Sequence, residues 1–396
     1  MRLSRLAKSI SPSPTLALDA KTKKLQSEGV DIISFGVGEP DFDTPQHIKD
    51  AAISSIQAGF TKYTPSSGIP ELRAAICKKL KEDNGLDYKP GDVLVSVGAK
   101  HSIYNAVLAL CDQGDEVLIP TPYWVSYPEM VKMAGGTPVF VPAGIESDYK
   151  VKPEVLESLI TPRTSLIILN SPSNPSGTVY TESELRALAE ICLKHGVAII
   201  SDEIYEKLIY EGEHVSIAAL SPEIKAITIT VNGVSKSYAM TGWRIGYAAG
   251  PSDVIAAMAN IQSHSTSNPT SISQKAALAG LTGPQEPLAL MRAEFKKRRD
   301  FMVKRLNEMP GVKCLTPPGA FYTYPDVSSI IGKKVCGRLV SNDTELAEVL
   351  LEEAKIAVVP GGAFGTEGNL RLSYATSMEL IAEGLNRMEK ALRTVS

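Results

Sequence analysis

The sequence predicts an α/β protein: a mostly parallel β-sheet flanked by helices, with a smaller α+β domain attached. Three observations predict it. Short β-rich runs alternate with helical patterns through the middle of the chain, and repeated βα units imply parallel strands. The β-rich runs are continuously apolar rather than alternating, as strands covered on both faces are. The character then changes after about residue 280, where a long charged helical pattern gives way to short strands and helices.

Taken in order, the first 45 residues carry a helical stretch at 15–28 and then a loop rich in glycine and proline. They are too few to bury a core and are expected to pack on the second domain. VLVSV (93–97) reads as a buried strand, followed by a helical stretch from about 100 to 112. EVLIP (116–120), TPVFV (137–141), SLIILN (165–170), VAIIS (197–201), AITITV (226–231) and IGYAAG (245–250) are the further strands. TESELRALAEICLKHG (181–196) is a helix with marked ends: Thr181 and Glu184 form a capping box and Gly196 is the stop. RAEFKKRRDFMVKRLNEM (292–309) is the long charged helix. AFYTYP (320–325), a helix near 343–354, IAVVP (356–360), NLRLSYA (369–375) and a final helix complete the second domain. GGAFGTEG (361–368) lacks the strand–helix context of a nucleotide site and reads as a mobile loop.

Composition narrows the function. The 396 residues are 43% hydrophobic and 21% charged with a net charge of −3, ordinary for a folded protein and without a nucleic-acid or anionic-membrane footprint. No apolar run approaches the length of a membrane span, and the basic start lacks the apolar segment of a secretory signal. The five cysteines are scattered without a CxxC, so a reducing, cytoplasmic setting is expected. The five histidines include no HxxxH or HxH pair, and no metal site is expected.

The chemistry-bearing residues gather at strand ends. VNGVSKSYAMTGWRIGY (231–247) joins two strands and holds Lys236 between two serines, with Arg244 eight residues on. A lysine in such a loop can form a Schiff base. Asp202 directly follows the buried run VAIIS, where an acid must pair or serve a ligand. Tyr205 lies three residues on, so one helical turn would bring it to the same face. Gly98-Ala99-Lys100 opens a helix after a strand, and free N–H groups there favour a phosphate. Asn174, in NSPSNPSG (170–177), and Trp124, in PYWVSYPEM (122–130), follow strands of the same sheet. All these loops would face one side of one parallel sheet.

On these motifs, with GVGEPDFDTP (36–45), KYTPSSGIPELR (62–73), SDEIYE and NLRLSYA, the sequence resembles the fold-type I, pyridoxal-phosphate-dependent class I aminotransferases, nearly end to end. It looks most like their bacterial-type aspartate aminotransferase subgroup. The resemblance implies a seven-stranded, mostly parallel sheet in a large cofactor domain at 46–280. The smaller domain would comprise 1–45 and 281–396, joined by a long helix near 285–309. It implies that Lys236 bonds pyridoxal 5'-phosphate and acts with Asp202 and Tyr205 in catalysis. Asp202 would hold the ring nitrogen protonated, Tyr205 and Asn174 would bond the ring's phenolic oxygen, and Trp124 would stack on the ring. Gly98, Ala99, Ser235 and Arg244 would bind the phosphate, with Tyr63 reaching it from a partner subunit, so that a homodimer shares its active sites. Arg371 would grip the substrate α-carboxylate, its neighbours Leu370 and Leu372 pointing the other way. Gly38, Trp124 and Asn174 would also touch substrate. Lys100 would read a distal carboxylate, and Ser13 and Thr15 match residues that approach the substrate.

The implied reaction moves the amino group of L-aspartate to 2-oxoglutarate by a ping-pong mechanism, giving oxaloacetate and L-glutamate. The same fold also carries aspartate/prephenate, aromatic and alanine aminotransferases and C–S lyases. Retention of Lys100 favours a dicarboxylate. Alanine in the second place of Gly98-Ala99-Lys100 departs from the subgroup's Gly-Gly-Lys turn. The resemblance begins almost at the start of the chain, which speaks against an appended DNA-binding module. The absence of GxGxxG in a first βα unit speaks against a nicotinamide dehydrogenase.

Overall fold

The computed structural model describes residues 1–396. Its main sheet has seven strands: β1 (Val93–Ser96), β2 (Glu116–Pro120), β3 (Thr137–Val141), β4 (Thr164–Asn170), β5 (Ala198–Asp202), β6 (Thr228–Gly233) and β7 (Gly246–Ala249). The spatial order is β1-β7-β6-β5-β4-β2-β3. Every neighbouring pair is parallel except the two that β7 makes. Six strands therefore end at one rim, and β7 starts there. The register aligns Asn170 with Asp202, Asp202 with Val231, and Gly233 with Gly246 along that rim. Six of the seven apolar runs lie on strands buried on both faces, between one core holding Leu94, Ile168 and Val231 and others holding Val95, Tyr247 and Ile199. β3, at the sheet edge, departs from the expectation, with Thr137 and Phe140 exposed.

The helix Glu182–His195 has the expected ends: Thr181 and Glu184 close a capping box, and Gly196 is left-handed. Local chemistry alone sets those ends, which is why they are legible in sequence. The segment after Asp202 is different. It forms two successive turns, with Glu206 N–H donating to Glu203 O and Leu208 N–H to Tyr205 O, rather than a turn of α-helix. Tertiary ties explain this. Glu203 is bonded by Ser201, His214 and Ser216, and Glu206 by Lys79 and Asn84, so both side chains point into the protein.

The C-terminal part packs a core of Phe295, Phe321, Leu350, Leu370, Leu385 and their neighbours, joined by Ile33 and Phe35 of the N-terminal segment and by Ile204, Tyr205 and Leu208 beyond β5. Ile33–Ser34 pairs in parallel with Ile356–Ala357. A three-stranded sheet of β8 (Tyr322–Thr323), β9 (Val359–Pro360) and β10 (Leu370–Ser373) has β10 in the middle. The long helix spans Glu286–Asn307 and the last one Met378–Leu392. Residues 361–368 are not a free loop: Gly361–Phe364 form a 3-10 turn with Phe364 fully buried. No helix is long and apolar enough to cross a membrane.

Candidate active site

The rim of the main sheet and β10 wall a cavity of about 470 Å³. Lys236, from the β6–β7 connection, donates from Nζ to the Gly38 carbonyl at 2.6 Å. Desolvation lowers its pKa to about 8, against a partial opposing pull from Glu39. Asp202 ends β5 and is 4% exposed. It accepts from the Tyr127 hydroxyl at 2.6 Å and the Ile204 amide at 3.3 Å, but has no cationic side chain in ion-pair range. Burial pushes its carboxyl up to about 6, and the two hydrogen bonds hold it from going higher. Burial in one cavity thus draws the amine and the acid toward each other's range.

A second cluster is built for an anion. Gly98 (φ 84) precedes the helix Ala99–Leu110, whose N-terminus has no side-chain cap. The Arg244 guanidinium lies where a Cβ on Gly98 would stand. Arg244 itself is left-handed at φ 57 and donates to Thr241 O at 2.7 Å. Ala99 and Ser235 line the cavity beside it. Free helical N–H groups, a hydroxyl and a guanidinium converge there, as a phosphate requires.

Arg371 forms the third cluster. It is 2% exposed on β10 while Leu370 and Leu372 point into the core. Nη1 donates to Asn174 Oδ1 at 3.0 Å and Nη2 to Gly36 O at 2.7 Å. Its buried Nε has no partner and no carboxylate pairs with the cation. Burial lowers its pKa for that reason. A buried guanidinium without a counter-ion is suited to an anionic ligand.

Around these lie the remaining side chains. Tyr205 and Tyr322 share a hydroxyl–hydroxyl bond of 2.9 Å. A Cβ on Gly38 would come within 2.8 Å of the Tyr322 hydroxyl, so a side chain there would have to displace it. Trp124 lines the cavity with Lys100 Nζ 4.8 Å from its ring. Burial and then Arg244 lower the Lys100 pKa. Ser13 and Thr15 reach the cavity from the N-terminal helix Pro14–Ser27, their hydroxyls 3.0 Å apart.

The structure brings all the sequence-selected residues to this cavity except Gly98, which backs Arg244, and Tyr63, which is 90% exposed. Sequence reasoning passed over Tyr127 and Tyr322. Tyr127 stands three residues after Trp124 at a helix start, a spacing that could have found it. Tyr322 has no such signal, because AFYTYP looks like any buried strand. Glu203, Glu206 and His214 form the one cluster of metal-ligand side chains, but their oxygens and Nε2 are taken by internal hydrogen bonds and ion pairs.

A family model for aminotransferase class I and II matches residues 30–388. An aspartate aminotransferase of Geobacillus stearothermophilus is 54% identical over 391 residues, 98% of this chain and 98% of that protein. An aspartate/prephenate aminotransferase of Cereibacter sphaeroides is 53% identical over 383 residues, 96% of each. The crystal structure of the aspartate aminotransferase from Rhizobium meliloti is similar with a TM-score of 0.97 at 45% identity, covering 100% of both chains.

Proposed function

The chain belongs to the class I and II aminotransferase family, and we propose that it transfers the amino group of L-aspartate to 2-oxoglutarate with pyridoxal 5'-phosphate as cofactor. The observation that carries this reading is a buried arginine without a counter-ion in the same cavity as a lysine whose pKa burial lowers to about 8. The names of the relatives support the substrate, and the retained Lys100 supports a dicarboxylate.

The residues fit the cofactor. Asp202, buried and without a cation, suits a protonated ring nitrogen. The Gly98–Arg244 cradle suits a phosphate, with Ala99 and Ser235 beside it, and Trp124 offers a flat face to a ring. Bound there, the cofactor supplies a carbonyl handle for amino groups and a ring that takes up the electron pair left by a departing α-proton. Lys236 Nζ would hold the cofactor and, once free, would take and return the α-proton as the site's amine base. Asp202 would keep the ring nitrogen charged, and Tyr205 and Asn174 would donate to the phenolic oxygen. Arg371 grips the α-carboxylate as a fork, and Gly38 closes over the substrate. Ser13, Thr15 and Lys100 approach its distal end. One site serves both half-reactions, so kinetics are ping-pong.

We also assign residues 46–280 to a cofactor domain and 1–45 with 281–396 to a small domain. Tyr63, exposed in one chain, is given to the phosphate site of a partner copy in a homodimer. The unpaired cysteines suit a cytoplasmic setting. Relatives named aspartate/prephenate aminotransferase make prephenate the second acceptor to assay.

The direct test is the near-UV/visible spectrum of the purified protein before and after L-aspartate alone. A pH-sensitive cofactor band that converts on adding aspartate supports cofactor and donor together. A band that ignores aspartate removes the donor, and no band after adding pyridoxal 5'-phosphate removes the cofactor. Lys100→Ala is expected to raise KM for aspartate and 2-oxoglutarate by about ten- to a hundredfold, one charge-assisted contact, and to leave L-alanine unchanged. Steady-state kinetics with the three substrates check this, and an equal rise for all would remove Lys100 from distal recognition.

A further inference from the structure

Residues 361–368 connect β9 to β10, the strand that carries Arg371, and Val359 is the ladder partner of Arg371. The connection is stapled. Asp343, at the start of the helix Asp343–Glu352, is 2% exposed and pairs with no cation. Its Oδ2 accepts from the Gly362 amide at 2.9 Å and the Gly368 amide at 3.1 Å, tying both ends of the loop to one oxygen. Between them the chain turns back through Gly365 at φ 79.

The staple fixes Phe364. Its ring lies 5.0 Å from the Arg371 guanidinium, and the Tyr322 ring lies 4.6 Å from it. The Phe364 carbonyl accepts from the Tyr123 amide at 3.0 Å, next to Trp124. Gly365 packs on the Tyr123 ring so closely that a Cβ would come within 2.5 Å. The loop therefore touches both the arginine and the Trp124 segment. Aromatic faces beside a desolvated guanidinium hold it in place and offset its burial.

We propose that Asp343 is a positioning residue for Arg371, acting through the 361–368 loop and the ring of Phe364 to set the guanidinium for an incoming α-carboxylate. The proposal rests on the reading of Arg371 given above. Burial raises the Asp343 pKa while the two amides pull it back, which agrees with a carboxylate retained for those two bonds. Every amino donor carries an α-carboxylate, so the effect falls on all donors alike, unlike that of Lys100.

The test uses the full-length, cofactor-loaded enzyme with Asp343→Ala, Asp343→Asn and Phe364→Leu. L-Aspartate and L-alanine are the donors, and amide hydrogen exchange is followed over 361–368. Asp343→Ala is expected to speed exchange at Gly362 and Gly368. It should raise KM for both donors by the same factor, about three- to thirtyfold, with kcat within about threefold. Asp343→Asn, whose amide oxygen still accepts, restores part of the loss. Phe364→Leu keeps the apolar volume without a ring face and raises KM likewise, which carries the test if Asp343→Ala does not fold. Faster exchange with unchanged KM, or a rise for aspartate alone, overturns the proposal. Arg371→Lys separates the two levels. If it raises KM for both donors while Asp343→Ala and Phe364→Leu leave KM unchanged, only this inference fails. If Arg371→Lys also leaves KM unchanged, the reading of Arg371 fails and the inference with it.

Discussion

Lys236→Ala is expected to lower the transamination rate by about 10⁴-fold or more, the upper end for one acid–base group and more where that group also bonds the cofactor. No other amine can replace it. Lys23 is exposed and paired with Asp19 at 2.8 Å, and Lys100 sits over Trp124. Only Lys236 has its pKa brought to about 8, so about half of it is the neutral amine at pH 8, where an ordinary lysine is almost wholly charged. The fold should survive, because the side chain makes one hydrogen bond, to Gly38, and borders open space. Linkage agrees. The folded pKa lies below the ordinary 10.5, so the unfolded chain binds the proton more tightly. Burying the charged amine therefore destabilises the native state below about pH 8, and that loss is recovered as pH rises to about 10.5. In the cofactor-free protein the alanine variant lacks this slope. Single-turnover kinetics beside thermal melts at pH 7 and 10 check both halves. A rate within tenfold of the parent enzyme, from a variant that melts as a folded protein, would remove Lys236 from the chemistry.

Much of this site was legible because strand ends are legible. A run such as VAIIS must be buried, so the residue after it stands at a sheet rim, and an aspartate there needs a reason. The same logic reached Asn174, Lys236 and Arg244. What escaped depends on contacts distant in sequence. The turn 203–206 looked helical because Asp202 and Tyr205 are three apart. Lys79, Asn84 and His214 decide its shape, and none is local. GGAFGTEG looked mobile because glycine loosens a chain. One oxygen of Asp343, about twenty residues upstream, pins it. Tyr322 matters through its hydroxyl rather than its hydrophobicity, and an apolar pattern cannot distinguish the two.

Asp202→Asn should separate stability from activity most sharply. The folded carboxyl titrates at about 6 against an ordinary 3.8, chiefly because burial disfavours its charge. The native state thus binds that proton more tightly than the unfolded chain. Stability of the cofactor-free protein then falls as pH rises from about 4 to 6, by about 3 kcal/mol in all. Asparagine cannot ionise, yet its oxygen can still accept from the Tyr127 hydroxyl. The cofactor-free variant should therefore melt higher than the parent at pH 7, with a flatter profile between pH 4 and 6. Turnover should move the other way, down by about 10²–10³-fold or more, as when one preorganised electrostatic partner of a transition state is removed. Melts across pH and steady-state kinetics give the two readings. If both stability and rate fell, Asp202 would be a structural acid served by Tyr127. If stability rose with the rate unchanged, its charge would have no part in the reaction. A carboxylate that destabilises the cofactor-free protein and is indispensable to turnover is one retained for a cationic ligand, as the buried Arg371, which no carboxylate side chain pairs, is suited to an anionic one.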